Sequence, residues 1–313
     1  MRVFDELAEI RSEVFAPGSA VAIGKFDGVH RGHRALLDRV AAISAERELE
    51  PVVFTFANNP LSFLRPDRCP QPIMSRDQRL DALEAAGVTA CVIVPFDAEL
   101  AAMPAEHFIE QVLVENLNVR HVCVGEDFRF GHRGAGDAAL LAHMGKRLGF
   151  SVEVIGDVED PDLGKVSSSR VREAILAGDV AVAGRMLTRP VTLRGEVVHG
   201  DARGREIGFP TANLGGEIEG LRPADGVYAG WAVVRGQRYR AAISVGANVT
   251  FEPEGEHRVE AHLIDFDGDL YGERIEVQFV ERLRGMAAFE SLDALLARMR
   301  EDVRETVLLL DRE

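Results

Sequence analysis

The chain has 313 residues, of which 46% are hydrophobic and 28% charged, and its formal net charge is −15 at pH 7. This composition is typical of a globular protein with room for two domains, and the acidic balance disfavours non-specific binding to nucleic acid or to an anionic membrane surface. No apolar run approaches the roughly 20 residues of a membrane span, and the N-terminus lacks the apolar core of a signal peptide.

The chain contains three cysteines, Cys69, Cys91 and Cys123, and none of them forms a CxxC pair. Cys91 and Cys123 lie in apolar runs, which favours buried structural thiols over a metal or redox site. We therefore expect a reducing, cytoplasmic setting. The sequence leaves the oligomeric state open.

Apolar runs alternate with helical patterns through the first half of the chain. The runs predict strands at residues 20–24, 51–56, 90–96, 121–125 and 151–155. Helical spacing covers residues 34–48, 76–86, 104–117 and 138–148. This alternation predicts an α/β domain with a parallel sheet covered on both faces. Ligands of such sheets bind at the carboxyl ends of the strands.

The first predicted strand runs into a glycine-rich turn with the sequence GKFDGVHRGH at residues 24–33, and an amphipathic helix follows. Glycines let the backbone approach a ligand closely, and a helix start offers free N–H groups and a positive dipole end. His30 and His33 are three residues apart, so both can face the same point. The turn predicts a triphosphate site; the alternative is a surface loop with two incidental histidines. The predicted phosphate contacts of the turn are Gly24, Phe26, Asp27, Gly28 and Gly32.

A second candidate phosphate group opens a later helix. Ser168 and Ser169 can cap that helix and donate hydroxyls, and Arg172 can hold a phosphate with a bidentate fork. Alone, this pattern favours an N-cap beside a solvated arginine; together with the histidine turn it favours a phosphate site. The sequence contains no Walker A pattern and no GxGxxG after the first strand, which excludes a P-loop enzyme and disfavours a dehydrogenase-type Rossmann domain.

Strand patterns without intervening helices characterise the second half of the chain. They cover residues 191–199, 226–235, 237–246, 257–265 and 273–281, and one long helical stripe closes the chain. This order predicts a small antiparallel barrel with a terminal helix. Helical patterning ends before Pro190, so we place the boundary near residue 187 and expect domains 1–187 and 188–313.

Two segments of the barrel carry candidate chemistry. Gly200, Gly204 and Gly208 recur at intervals of four, which permits a loop whose amides approach phosphates. Thr211 and Asn213 share a face of an extended segment, and their oxygens are hard ligands suited to Mg²⁺. A plain glycine-rich hairpin loop explains this first segment equally well.

The second segment is an alternating strand pattern around Glu260 at residues 258–266. Alternation places Glu260 and His262 on one face and Val259 and Ala261 on the other. A carboxylate in such a strand is either solvated or faces a site, and the pattern alone favours a solvated side chain.

The motifs together resemble a known family. GKFDGVHRGH resembles the HxGH nucleotidyltransferase signature in the wording used by bacterial bifunctional riboflavin kinase/FMN adenylyltransferases. VGEDFRFG at residues 124–131 and SSRVR at residues 168–172 resemble two further site motifs of that family. GFPTAN at residues 208–213 and VEAHLIDF at residues 259–266 resemble the flavokinase domain, over nearly all of residues 190–310. The resemblance implies phosphorylation of riboflavin to FMN, then adenylylation of FMN to FAD, with ATP as co-substrate and Mg²⁺ as cofactor at both steps.

The resemblance also implies roles for single residues. His30 and His33 would serve the phosphates of ATP, and Arg172 its β/γ end. Glu260 would take the hydroxyl proton of riboflavin. Thr211 and Asn213 would hold Mg²⁺. The implied phosphate-binding loop of the kinase comprises Gly200, Gly204, Arg205 and Gly208.

One loop departs from the family pattern. The family reads Phe-x-Pro-His-Pro after the second strand, whereas this chain reads FANNP at residues 56–60, so Asn59 occupies the histidine position. Asparagine cannot carry a proton charge near neutral pH. This departure leaves open a riboflavin kinase whose adenylyltransferase domain is weak or uses another flavin. A flavin-binding regulatory protein without turnover is a second alternative, against which the retained site residues of both halves argue. A third is an adenylyltransferase that acts on another phosphorylated small molecule, which the flavokinase half disfavours. The implied flavin contacts are Phe56, Asn59, Pro60, Phe63, Asp127 and Phe128.

Overall fold

A computed structural model describes residues 1–200, 208–247 and 257–312. Gly204 and Arg205, predicted to contact phosphate, lie outside the described residues. The chain divides into two compact units, Met1–Ser167 and Ser168–Glu313. Within the described ranges, no helix combines the length and the apolar character needed to cross a membrane.

The first unit is built on a parallel sheet. Its strands are β1 (Arg2–Phe4), β2 (Ser19–Ile23), β3 (Glu50–Phe56), β4 (Ala90–Val94), β5 (Val119–Gly125) and β8 (Ser151–Ile155). They lie in the order β1-β4-β3-β2-β5-β8 and all pair in parallel. Two short hairpins complete the strands: β6 (Arg129–Phe130) with β7 (Gly136–Asp137), and β9 (Glu159–Asp160) with β10 (Gly164–Lys165).

Helices of the first unit connect these strands. They are α1 (Arg31–Arg47), α2 (Pro60–Leu64), α3 (Arg76–Glu84), α4 (Ala98–Ala102), α5 (Ala105–His107), which continues as a π-helix over Phe108–Asn116, and α6 (Ala138–Leu148). The predicted parallel sheet is confirmed. β2 and β4 are buried at every position, as expected for strands covered on both faces. Two core clusters flank the sheet, one around Val21 and Phe54 and the other around Ala22 and Leu37.

The strand order places a topological switch point beside β2. The chain proceeds from β2 to β3 and β4 on one side and returns to β5 on the other. Open α/β sheets bind ligands in the crevice at such a point, outside the carboxyl ends of the strands. The turn at residues 24–33 follows β2 directly, so the fold puts it at this crevice.

The second unit begins with two helices, α7 (Ser168–Ala177) and α8 (Val180–Leu187), and ends with α9 (Leu292–Leu310). Between them a closed antiparallel barrel contains β11 (Val191–Val198), β12 (Ala212–Glu219), β13 (Gly226–Val234), β14 (Gln237–Gly246), β15 (Arg258–Leu263) and β16 (Arg274–Arg284). Arg282 of β16 donates to the carbonyl of Ala177 at 3.2 Å. The barrel and its terminal helix confirm the predicted fold class. The domain boundary near residue 187 stays a prediction.

Gly215 and Gly216 lie inside strand β12, although a Gly-Gly pair between apolar segments is a typical turn signal. The pairing of β12 with β11 shifts register between Arg194 and Glu196, and Gly216 has a φ of +65°. Glycine supplies this left-handed conformation without steric cost, so the pair forms an irregularity in a strand rather than its end.

The terminal helix α9 is held to the barrel by a buried carboxylate. Asp302 is 3% exposed and accepts from Arg284 of β16 at 2.7 Å and from Arg298 at 2.9 Å. The predicted apolar stripe of α9 is only partly buried, and Leu292 is 49% exposed. Ionic anchoring therefore supplements the apolar face of this helix.

Candidate active sites

The histidine turn, which we define as Gly24–His33, is wound tightly between β2 and α1. Phe26, Gly28 and Val29 have φ values of +50°, +88° and +41°. Phe26 and Val29 carry a β-carbon, and residues with a β-carbon rarely adopt a positive φ. The ring of Phe26 is fully buried and lies 5.1 Å from the ring of His33. Core packing of Phe26 thus holds the turn in a strained shape, and strain of this kind is common at functional sites.

His30 and His33 come together at the start of α1, as the sequence predicts. Their rings stack with centroids 3.8 Å apart and an interplanar angle of 19°. His30 is the N-cap of α1: its Nδ1 accepts from the backbone N–H of His33 at 3.4 Å. An imidazole that accepts through Nδ1 carries its proton on Nε2. Both rings therefore lie at the N-terminal, positive dipole end of the 17-residue helix.

Three contacts tie the histidine turn to its surroundings. The Asp27 carboxylate, a predicted phosphate contact, accepts from the backbone N–H of Ile73 at 2.9 Å. The Lys25 carbonyl accepts from the hydroxyl of Thr55 at 3.2 Å and from the guanidinium of Arg79 at 3.2 Å. Sequence reasoning missed Thr55 and Arg79 as parts of this site.

Asn59 is the N-cap of α2 at the end of the loop that follows β3. Its side-chain oxygen accepts from the backbone N–H of Leu61 at 3.0 Å, and Pro60 occupies the first turn of the helix. An imidazole performs the same capping role in His30. The asparagine that replaces the family's histidine therefore supports the loop locally, whatever its effect on a flavin.

Asn58 joins this loop to the segment that follows β4. Its amide donates to the carbonyl of Phe96 at 3.2 Å and accepts from the N–H of Phe96 at 2.7 Å. The Phe96 ring lies 5.4 Å from that of Phe56 and 6.3 Å from that of Phe63, which is 46% exposed. Phe96, which the sequence did not indicate, thus completes an aromatic cluster with two of the predicted flavin contacts. We call Phe56, Phe63 and Phe96 the aromatic platform.

The remaining predicted flavin contacts follow β5. Asp127 is exposed, and the Phe128 ring is partly buried and stacks on Phe130 at 5.3 Å. Rings of the core connect Phe128 to the aromatic platform through Phe130, Phe108, Phe54 and Phe56. The serine–arginine group belongs to the second unit: α7 begins at Ser168, and Arg172 donates back to the Ser168 carbonyl at 3.4 Å. Its role with the histidine turn stays a prediction.

In the barrel, Thr211, Asn213 and Glu260 lie together. Asn213 of β12 lies directly opposite Glu260 of β15, and the Thr211 hydroxyl donates to the Glu260 carboxylate at 3.2 Å. The Asn213 amide donates to the Thr211 carbonyl at 3.4 Å. Alternate residues of β15 are buried, with Glu260 and His262 on the less buried face, which confirms the predicted alternation.

Gly200 packs against the side chain of Asn213. A β-carbon at Gly200 would lie 2.7 Å from Nδ2 and 2.8 Å from Oδ1 of Asn213. No side chain tolerates such distances, so the glycine leaves room for the asparagine amide. Gly208, by contrast, has a φ of +81° and open space where a β-carbon would lie.

A groove of about 530 Å³ lies between Phe209, two residues before Thr211 in the chain, and α9. The residues of α9 that line it are Ala297, Arg300, Val303 and Arg304. Phe209 also contacts the ring of His262, edge to face at 5.3 Å, and His262 Nδ1 lies 2.8 Å from the Pro210 carbonyl oxygen. The sequence does not predict this groove, because Phe209 and α9 are far apart along the chain and only the tertiary fold brings them together.

Cys91 and Cys123 are fully buried, and burial raises the pKa of each thiol to about 12. Both remain neutral thiols near neutral pH, which confirms the prediction of structural cysteines. All three cysteines, including the partly exposed Cys69, are free. The described ranges contain no cluster of three or more His, Cys, Asp or Glu side chains able to hold a metal ion.

The chain combines an α/β unit with paired histidines at its switch point and a barrel with a Thr–Asn–Glu cluster, and the family matches identify this combination as a two-unit ATP-using transferase. The family model for FAD synthetase matches residues 13–170, and the model for riboflavin kinase matches residues 187–310. The chain therefore belongs to the family of bifunctional riboflavin kinase/FMN adenylyltransferases.

Two relatives with bifunctional names align with about nine tenths of the chain. The bifunctional riboflavin kinase/FMN adenylyltransferase of Pseudomonas fluorescens is 37% identical over 287 residues, 91% of each chain. The enzyme of the same name from Bacillus subtilis (strain 168) is 33% identical over 295 residues, 92% of each chain. A crystal structure described as a macrolide-efflux protein from Streptococcus pneumoniae superposes with a TM-score of 0.86 at 35% identity, covering 97% of both chains.

Proposed function

We propose that this chain phosphorylates riboflavin to FMN with ATP and then transfers AMP from a second ATP to FMN, giving FAD and pyrophosphate. The observation that carries the proposal is that one chain holds two chemically distinct sites, the stacked His30–His33 pair and the Thr211–Asn213–Glu260 cluster. We assign the adenylyl transfer to residues 1–187 and the kinase to residues 188–313, which the positions of the two family matches support. The free cysteines support a cytoplasmic location.

Glu260 acts as the general base of the kinase in this proposal. The 5′-hydroxyl oxygen of riboflavin attacks the γ-phosphorus of ATP, Glu260 accepts the hydroxyl proton, and the bond to the β–γ bridging oxygen breaks to release ADP. The hydroxyl of Thr211 fixes the Glu260 carboxylate. A positioned base of this kind contributes roughly 10²–10⁴-fold in rate.

The donors beside Glu260 fit Mg²⁺. Thr211 and Asn213 supply hydroxyl and amide oxygens, and Gly200 leaves the space that the Asn213 amide occupies. Hard oxygen ligands with few protein charges suit Mg²⁺, which takes its remaining ligands from water and phosphate. When bound, the ion would neutralise charge on the phosphate oxygens.

The groove between Phe209 and α9 is our candidate for the isoalloxazine ring of riboflavin. Its volume of about 530 Å³ lies within the usual range for small-molecule sites, roughly 300–1,000 Å³. Phe209 is two residues from Thr211, so a ring held there has its ribityl chain close to the phosphoryl-transfer cluster. Phe209 and Val303 offer apolar contact, and Arg300 and Arg304 offer donors at the groove edge.

Adenylyl transfer needs positioning more than covalent chemistry. An oxygen of the FMN phosphate attacks the α-phosphorus of ATP, and pyrophosphate leaves. His30, His33 and the positive N-terminal end of α1 stabilise the charge that develops on the phosphates. The aromatic platform lies on the adjoining loops and offers faces on which the isoalloxazine of FMN can stack.

The proposal is tested by incubating the purified chain with riboflavin, ATP and Mg²⁺ and separating riboflavin, FMN and FAD by chromatography over time. We expect FMN to rise first and FAD to follow at its expense, and a matched sample with EDTA to give neither. If FMN accumulates and no FAD forms, the chain is a riboflavin kinase without adenylyltransferase activity, which is the alternative that Asn59 raises. A chain that forms neither product contradicts the proposal.

A further inference from the structure

Arg79 of α3 bridges two loops at the adenylyl-transfer site. Its Nη1 donates to the carbonyl of Lys25 at 3.2 Å, and its Nη2 donates to the carbonyl of Ala57 at 3.4 Å. Lys25 belongs to the histidine turn, and Ala57 begins the loop that Asn58 and Asn59 continue. One guanidinium therefore spans the segment assigned to ATP and the segment assigned to FMN.

The helix that carries Arg79 is anchored at its start and along its buried face. α3 begins with a reciprocal capping box between Ser75 and Gln78, and Gln78 and Leu83 of the same helix are buried. A helix fixed in this way carries a long side chain to a defined point. Both acceptors are backbone carbonyls, so the bridge depends on loop conformation and not on the identity of residues 25 and 57.

Arg79 is partly buried, and removing part of a guanidinium from water costs free energy. The Nε atom of Arg79 is buried and has no hydrogen-bond partner among the described residues. Burial lowers the pKa of Arg79, while the negative charge of Asp27 opposes this effect. A guanidinium nevertheless stays protonated in proteins. It therefore adds positive potential beneath two loops that, in the proposed function, hold polyphosphate, within a chain of net charge −15.

We propose that Arg79 is a positioning residue for adenylyl transfer: it holds the histidine turn and the loop after β3 at the separation that aligns the FMN phosphate with the α-phosphate of ATP. This inference rests on the proposed adenylyl transfer. Alignment affects the chemical step, and a small misplacement of reacting groups costs up to about 10²-fold in rate. The turn keeps its contact with Thr55 when Arg79 is lost, so ATP binding depends less on Arg79 than turnover does.

The experiment measures steady-state FAD formation from supplied FMN and ATP in Arg79→Met, Arg79→Lys and the wild type. In Arg79→Met we expect kcat to fall at least about 30-fold while KM for ATP changes less than about threefold. Arg79→Lys keeps a cation that can reach one carbonyl, and its kcat should be about fivefold below that of the wild type.

Arg76→Met is the matched control. Arg76 lies on the same helix, but its guanidinium pairs with the Asp5 carboxylate and its side chain is 41% exposed. Removing it should leave kcat for FAD formation within about twofold of the wild type. Riboflavin phosphorylation serves as an internal control in every variant, because its residues lie in the second unit.

The outcomes separate this inference from the proposed function. A wild-type chain that makes no FAD from FMN contradicts the function itself. If the wild type is active, an Arg79→Met variant with kcat within about twofold of the wild type overturns the positioning role. Should Arg79→Met not fold, Arg79→Lys decides: a kcat reduced about fivefold at the wild-type melting temperature supports the role, and an unchanged kcat overturns it.

Discussion

Gly32 lies directly beside the imidazole ring of His30. A β-carbon at Gly32 would stand 3.1 Å from Cε1 and 3.2 Å from Nδ1 of that ring. Both distances are shorter than ordinary van der Waals contact. The glycine of the histidine turn thus makes room for the side chain that caps its own helix, and it sets where the ring lies above the helix start.

The Gly32→Ala variant tests this relationship. Alanine should favour the helix by about 1 kcal/mol over glycine, but its β-carbon must displace His30. We expect FAD formation from FMN to slow by about tenfold or more, with no fall in the melting temperature and no change in riboflavin phosphorylation. A variant that makes FAD at the wild-type rate would show that the position of His30 is not critical.

Gly200→Ala is the corresponding change in the barrel. The added β-carbon would stand 2.7 Å from the Asn213 amide and must push it away from Thr211 and Glu260. We expect FMN formation to fall by about tenfold or more and the Mg²⁺ concentration for half-maximal rate to rise. FAD formation from supplied FMN should be unaffected. An unchanged Mg²⁺ dependence would remove Asn213 from the proposed metal site.

His121 predicts a dependence of stability on pH. It is 3% exposed on β5, and its Nδ1 lies 2.7 Å from the Ser151 hydroxyl oxygen. Burial, aided by the positive charge of Arg47 and Arg39 and opposed by Glu153, lowers its pKa below the ordinary value of 6.5. His121 therefore binds a proton more readily in the unfolded chain than in the folded one. The free energy of unfolding consequently falls as the pH drops below about 6.5.

We expect the melting temperature to fall between about pH 7.5 and about pH 5.5, and His121→Gln to lose less over the same interval. Thermal melts of both proteins across this range measure the difference. Since other groups titrate in both proteins alike, the comparison isolates His121. Parallel curves would mean that His121 protonates equally in the folded and unfolded states.

The cysteines predict a labelling pattern. Cys91 and Cys123 are fully buried with pKa values of about 12, whereas Cys69 is partly exposed. A thiol reagent at mildly alkaline pH should modify one cysteine in the native protein and all three free cysteines after denaturation. Peptide mapping should assign the native modification to Cys69. Modification of Cys91 or Cys123 in the native protein would contradict the burial of those strands.

Most of the fold is predictable from the sequence, because strands buried on both faces read as apolar runs and the barrel strands alternate. The short hairpin strands β6, β7, β9 and β10 are not predicted by these patterns, and neither are two strands of the main sheet and the barrel, β1 and β12. β1 is short, and neither Arg2 nor Val3 is buried, so only its pairing with β4 identifies it. β12 contains Gly215 and Gly216, and a Gly-Gly pair in a short stretch of sequence indicates a turn.

Some residues of the candidate sites are predictable from local spacing in the sequence, and Arg79 is not. His30 and His33 lie on one helical turn, and Thr211 and Asn213 lie on one extended segment, so local spacing suffices to predict each pair. Arg79 is a single arginine in a helical pattern, where a solvated side chain is the usual outcome. Its acceptors Lys25 and Ala57 are 54 and 22 residues away along the chain, and no local pattern connects them.

The most direct test of the account compares His30→Ala and Glu260→Ala with the wild type in paired reactions, one supplied with riboflavin and ATP and the other with FMN and ATP. Two independent sites predict that His30→Ala converts riboflavin to FMN and stops there. Glu260→Ala should leave riboflavin unchanged and still convert FMN to FAD. A mixture of the two variants should restore FAD formation from riboflavin. If either substitution abolishes both reactions in a folded protein, or if Glu260→Ala phosphorylates riboflavin at the wild-type rate, the assignment of separate sites is wrong.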